Sequence, residues 1–176
     1  MTTSDKPGRQ DPLLRPGAVA TILGGGAAIA ILDISNAMLF WGLARGTNPL
    51  VILQSVAAGL LGRDALEGGT ATAILGSFLH LFNSVSIAAV FYFAARLLPI
   101  VLTRPFLTGP AYGALVYLVM NHIVVPLSQA RHVRFMLAWF IANFVGHLLL
   151  VGLPVAIIAR WSALQNQRNA SHRVLS

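Results

Sequence analysis

From Gly17 to Ala44 the chain carries a single charged side chain, Asp33, within the run AVATILGGGAAIAILDISNAMLFWGL. A helix rises about 1.5 Å per residue and needs about 20 residues to cross ~30 Å of hydrocarbon, so this run is long enough to span a bilayer. Three further runs, at 69–98, 106–127 and 135–160, have the same character and are each bounded by charge or proline. Apolar residues make up 56% and charged residues 10% of the chain, against about 45–50% and about 25% in soluble domains. The expected fold is therefore an all-α integral membrane protein with four transmembrane helices in a bundle.

Between the first two spans, residues 49–61 (PLVILQSVAAGLL) form a 13-residue apolar segment. That length suits an interfacial or re-entrant helix better than a crossing. Thr47 and Asn48 can cap it, with Pro49 at the first helical position. Lys6, Arg9 and Arg15 precede the first span as they would in a secretory signal. The apolar run continues to Trp41, however, well past the small-residue site Ala28-Ile29-Ala30, so the first span is expected to be retained. Residues 1–16 and 161–176 read as short polar tails around one membrane domain.

Cytoplasmic loops retain Lys and Arg. Lys6, Arg9, Arg15, Arg96, Arg104, Arg160, Arg168 and Arg173 fall on one side of the expected topology, and Arg45, Arg63, Arg131 and Arg134 on the other. Both termini are therefore expected in the cytoplasm. The net charge of +7 is dispersed among helix ends, which removes any need for a nucleic-acid partner. The bilayer is the expected partner. Small-residue faces (Gly109 with Gly113; Gly68, Thr72 and Gly76; Gly24 to Gly26) predict tight helix contacts, and offer surfaces for a homo-oligomer or a membrane-protein partner. Pro154 predicts a bend about one turn beyond His147.

The polar groups inside the spans are the candidates for function. Each span holds one ionisable residue and one Asn: Asp33 and Asn36, His80 and Asn83, His122 and Asn121, His147 and Asn143. A mid-membrane carboxylate costs about 2.5–3.5 kcal/mol on insertion scales and should face the bundle interior. Counted along the helices, Asp33, His80 and His147 all fall about 16–18 Å from one side of the membrane. One interior cluster is expected from these three, oriented by Asn36, Asn83 and Asn143. Asn121 and His122 fall in a shallower layer and have a weaker claim.

Such a set can be interhelical glue, at about 0.6–2 kcal/mol per contact. It can also relay protons or hold a cation, since imidazoles titrate near neutral pH. A third possibility is metal or haem ligation, with His80, His147 and Asp33 as the donors to be weighed. No HExxH or HxxxH spacing supports that last reading. There is no Cys, no GxSxG, no P-loop and no Rossmann glycine pattern after a strand. Ser77, Ser84 and Ser86 near His80 read as hydrogen-bonding residues of a membrane helix. No enzymatic activity and no cofactor are expected. The leading expectation is proton- or cation-responsive transport or regulation. A haem- or metal-binding redox protein stands second, and a structural subunit of a larger membrane complex third.

Three stretches carry a family likeness: FLHLFNSVSIAAVFYFAARLLP (Phe78 to Pro99), the glycine-rich helix from Gly109 to Pro126, and NFVGHLLLVGLPVAIIARWSALQNQR (Asn143 to Arg168), with its Gly146-His147 pair. Together they resemble the YagU-like family of small bacterial inner-membrane proteins. The resemblance implies a bacterial inner membrane and a multi-span helical bundle. It brings no catalytic residue with it, and the first span with Asp33 lies outside it.

Overall fold

The computed structural model describes residues 17–130 and 135–175, and every regular element among them is helical. Lys6, Arg9, Arg15, Arg131 and Arg134, with the tail before Gly17, lie outside the described residues. Helix α1 runs Ala18–Arg45 between Gly17 (φ 102°) and Gly46 (φ 63°). Both glycines adopt the left-handed conformation that side chains resist. Helix α2 runs Pro49–Leu61; Asn48 Oδ1 accepts from the Leu50 amide at 2.9 Å, with Pro49 in the first turn.

Helix α3 runs Gly69–Leu97. Helix α4 covers Pro105–Leu127, and helix α5 covers 137–175. Both contain a π-helical turn, Met120–Val124 in α4 and His147–Gly152 in α5. Each turn ends two residues before a proline, Pro126 and Pro154. Proline has no N–H and crowds the carbonyl four residues back, and the widened turn accommodates both effects without ending the helix. The disturbance expected from Pro154 is thus a π turn that starts at His147 itself.

Two boundaries differ from the sequence expectation. The segment of α2 continues as a 3-10 turn, Gly62–Leu66, which gives 18 residues in all. Five helices are therefore long and apolar enough to cross a membrane, and length alone no longer sets α2 apart. At the other end, α5 does not stop at Arg160: helix continues to Leu175, because SALQNQRNASHRV contains neither Gly nor Pro to break it.

Small residues set the packing. α1 and α3 are antiparallel, with Gly26 against Val85: a Cβ on Gly26 would come within 2.6 Å of the Val85 Cα. A Cβ on Gly76 would overlap the Leu53 carbonyl, so α2 lies directly on the first turns of α3. Gln54 is buried there and donates to the Gly69 carbonyl at 3.0 Å. Gly109 and Gly113 of α4 press against the backbone of Gly152 and His147 of α5. α1 and α5 meet through Gly25 beside Val155 and through the hydroxyls of Thr21 and Ser162. The core where α1, α3, α4 and α5 converge is made of Ile29, Ala88, Phe91, Val116, Val151, Val155 and Ala156.

Beyond α4, Gln129 binds α2 twice: its amide donates to the Gly59 carbonyl at 2.9 Å, and its side-chain Nε2 donates to the Leu60 carbonyl at 2.7 Å. The outer surface is apolar. Ile31, Leu43, Phe78, Phe82 and Leu107 are all more than half exposed, a pattern that suits surrounding lipid.

Candidate functional site: an internal cavity with one carboxylate

A cavity of about 700 Å³ lies between the helices. α1 contributes Ile29 and Asp33; α3 contributes His80, Asn83 and Ser84; α4 contributes Tyr117, Met120 and Asn121. α5 lines it from Met136 through Trp139, Phe140, Asn143 and His147 to Val151. Ser55, Val56, Gly59 and Leu60 of α2 close one end, together with Ser128 and Ala130. The lining is mainly apolar, with a few convergent polar groups, which is the usual composition of a small-molecule site.

Among the described residues Asp33 is the one carboxylate on this lining, and no Lys or Arg joins it. Its Oδ1 lies 3.9 Å from His147 Nδ1, with 24% of the Asp33 side chain and 10% of the His147 side chain accessible. That separation allows an ion pair when the imidazole is protonated but is too long for a hydrogen bond. No hydrogen bond from another described residue reaches the carboxylate.

The imidazoles are held by backbone carbonyls. His147 Nδ1 donates to the Asn143 carbonyl at 2.9 Å, and His80 Nε2 donates to the Ala30 carbonyl at 3.1 Å. A carbonyl oxygen only accepts, so each of those ring nitrogens carries the proton. In the neutral rings the lone pairs then sit on His147 Nε2 and His80 Nδ1. The Tyr117 ring stands edge-on to His147, with centroids 5.5 Å apart and planes at 86°. Its other contacts, with Phe140 and Phe144, are also near perpendicular.

Asp33, His80, Asn83, Asn143 and His147 all line the one cavity. Asn36 does not. Its side chain lies against Gly146 and donates to the Ala142 carbonyl at 3.5 Å, on the face of α1 that packs on α5. The roughly 60° by which three residues fall short of a full turn sets Asn36 toward Gly146, where the missing side chain leaves room for it, whereas His80 and Asn83 at the same spacing both stay on the lining. Asn121 and His122 also separate: Asn121 lines the cavity and donates to the Tyr117 carbonyl at 3.0 Å, whereas exposed His122 bonds only to the Leu118 carbonyl of its own helix. The shallower layer expected from these two does not form as a pair. Among the described residues, no three His, Asp or Glu side chains converge closely enough to hold a metal ion. Asp33, His80 and His147 share a cavity without forming a metal-binding cluster.

The sequence reading passed over Tyr117, Trp139 and Phe140, as well as Ser55 and Ser128 at the α2 end. A signal existed for the aromatics. Met136, Trp139, Phe140, Asn143 and His147 follow the i, i+3, i+4, i+7 spacing of one helical face, as do Tyr117, Met120, Asn121 and Val124.

Comparison with family models, with curated proteins and with solved structures finds no match to this chain.

Proposed function

We propose that the chain is a multi-pass protein of a bacterial inner membrane whose Asp33–His147 pair makes it responsive to protons or to a cation, in a transport or regulatory role. The observation that carries this reading is a carboxylate facing a cavity of about 700 Å³ with no hydrogen-bonding partner among the described residues and an imidazole 3.9 Å away. Pure interhelical glue would bond such a group directly to a neighbouring helix. At this separation a protonated His147 would attract Asp33 by about 4 kcal/mol at an effective dielectric of about 20. One proton on or off the pair therefore changes how the cavity holds a charged guest. The other titratable groups facing Asp33 across the cavity are His80 of α3 and Tyr117 of α4; α2 contributes none.

In this reading α1, α3, α4 and α5 cross the bilayer, and α2 lies on the outer side and covers the cavity end. Both termini are cytoplasmic, as supported by the excess of Lys and Arg at the tails and the α3–α4 loop. The likeness of residues 78–168 to YagU-like proteins supports the bacterial inner membrane. The alternative of a metal ion held by protein side chains lacks a convergent third ligand among the described residues.

The test uses a variant with Trp139 as the sole tryptophan (Trp41→Phe, Trp161→Phe), reconstituted in lipid nanodiscs. Its fluorescence should change with pH, and Asp33→Asn should flatten the change. A flat profile in the parent, or an unchanged one in Asp33→Asn, would sink the proposal.

A further inference from the structure

We infer that the cavity is a binding site for an amphipathic organic ammonium ion, a protonated amine attached to an apolar, ring-sized body. The inference rests on the reading above that Asp33 is the ionisable centre, and it goes further by naming the chemistry of the guest.

Charge gives its sign. Among the described residues Asp33 is the only carboxylate on the lining and no Lys or Arg joins it there, so a cation is the charge that complements it.

Size decides against a bare ion. A proton or a metal ion is held by a few close ligands, whereas about 700 Å³ falls in the range of drug-sized molecules. The absence of a three-ligand cluster among the described residues points the same way.

The walls indicate the body of the guest. Trp139, Phe140 and Tyr117 line the cavity on the side of α4 and α5. Aromatic faces accept apolar groups and also attract a cation within about 6 Å.

Hydrogen-bond polarity indicates the head group. His147 Nδ1, His80 Nε2 and Asn121 Nδ2 each spend a donor on a protein carbonyl. With both imidazoles neutral, they and Asp33 leave acceptors for a guest, two imidazole lone pairs and a carboxylate, beside the amide oxygen and one remaining N–H of Asn121. A group that donates several hydrogen bonds and carries positive charge complements this set, and an ammonium does both. An anion would meet Asp33 with no Lys or Arg of the described lining to offset it, and a neutral alcohol would bring no charge to match the carboxylate.

The test uses three probes with the same two-ring body: 3,3-diphenylpropylammonium, 3,3-diphenylpropan-1-ol and 4,4-diphenylbutanoate. Binding to the full chain in nanodiscs is measured by titration calorimetry, with empty nanodiscs subtracted. The ammonium should bind at least about tenfold more tightly than the alcohol, and the carboxylate should not bind. Asp33→Asn should lower ammonium affinity about tenfold or more and leave the alcohol unchanged, while Asp33→Glu should retain the preference. Equal affinities for the three probes, or no binding above empty nanodiscs, overturns the inference. If Asp33→Asn does not yield a monodisperse protein, the probe series on the parent and the Asp33→Glu variant still decide it. A pH response that depends on Asp33 but comes without ammonium preference removes this inference and leaves the proposed function standing. Loss of both removes both.

Discussion

Gly113 of α4 sits directly on the carbonyl of His147, so the imidazole facing Asp33 is carried by a backbone that α4 supports from behind. A Cβ at Gly113 would overlap that carbonyl and also come within 2.9 Å of Leu148 Cα. Since the obstruction is backbone on both sides, no rotamer change relieves it. Gly113→Ala should therefore cost about 1–3 kcal/mol of stability and move His147 off Asp33, weakening the pH response of Trp139 fluorescence. Gly24→Ala provides the contrast. Nothing lies within 4 Å of a Cβ there, and replacing a helical glycine should gain up to about 1 kcal/mol. Thermal unfolding in detergent, compared between the two variants, checks both signs.

Asn36 and Asn143 were equivalent on the sequence, and the structure separates them. Asn36→Ala removes one long hydrogen bond to Ala142 outside the cavity. It should cost about 0.6 kcal/mol, the average for such interhelical bonds, without changing ammonium binding. Asn143→Leu places an apolar group on the cavity wall one turn from His147 and should lower ammonium affinity several-fold with little loss of stability. Calorimetry and thermal unfolding on the same two preparations distinguish the outcomes. If Asn36→Ala altered binding as much as Asn143→Leu, the assignment of faces would be wrong.

Pro154 follows the π turn that begins at His147. Pro154→Ala restores an amide donor toward the Leu150 carbonyl and removes the steric reason for the widened turn. Amide exchange across 147–154 should slow, and thermal stability should rise. The pH response should nevertheless fall, because closing the turn rotates His147 relative to Asp33. A stabilised variant with an unaltered response would show that the π turn plays no part in setting the pair.

The topology can be checked with reporter fusions after Gly62, Pro105 and Gln129 and at Ser176. Four crossings with α2 on the outer side require outside, inside, outside and inside in that order. If the 18 residues of Pro49–Leu66 crossed as well with the N-terminus still inside, all four signals would invert.

Helix limits were legible because lipid-spanning segments announce themselves by length: 17–44 became Ala18–Arg45, and 69–98 became Gly69–Leu97. The same rise per residue was enough to bring Asp33 and His147 to one depth. Azimuth was harder to read. A uniformly apolar helix has almost no amphipathic stripe to orient it, so nothing in the sequence told which of Asn121 and His122 would turn inward, or that Asn36 would face Gly146. The end of α5 was missed for a different reason. Hydropathy falls after Trp161, yet the polar residues that follow are compatible with helix, and a change of solvent does not break backbone hydrogen bonds. Tyr117 and Trp139 gave no separate signal because aromatic side chains are ordinary within apolar spans, although their spacing from Asn121 and Asn143 placed them on the same faces.

The double hold of Gln129 on Gly59 and Leu60 makes one residue the latch of the α2 end. If α2 swung outward, two carbonyls of its last turn would lose their partners together, at about 1–3 kcal/mol for each group left unsatisfied away from water. Were a guest to enter and leave through that end, its residence time would be set by how often the latch releases rather than by its grip on Asp33. Shortening the side chain by Gln129→Ala would open half the latch while leaving the chamber behind it unchanged, so that association and dissociation would quicken together at nearly constant affinity.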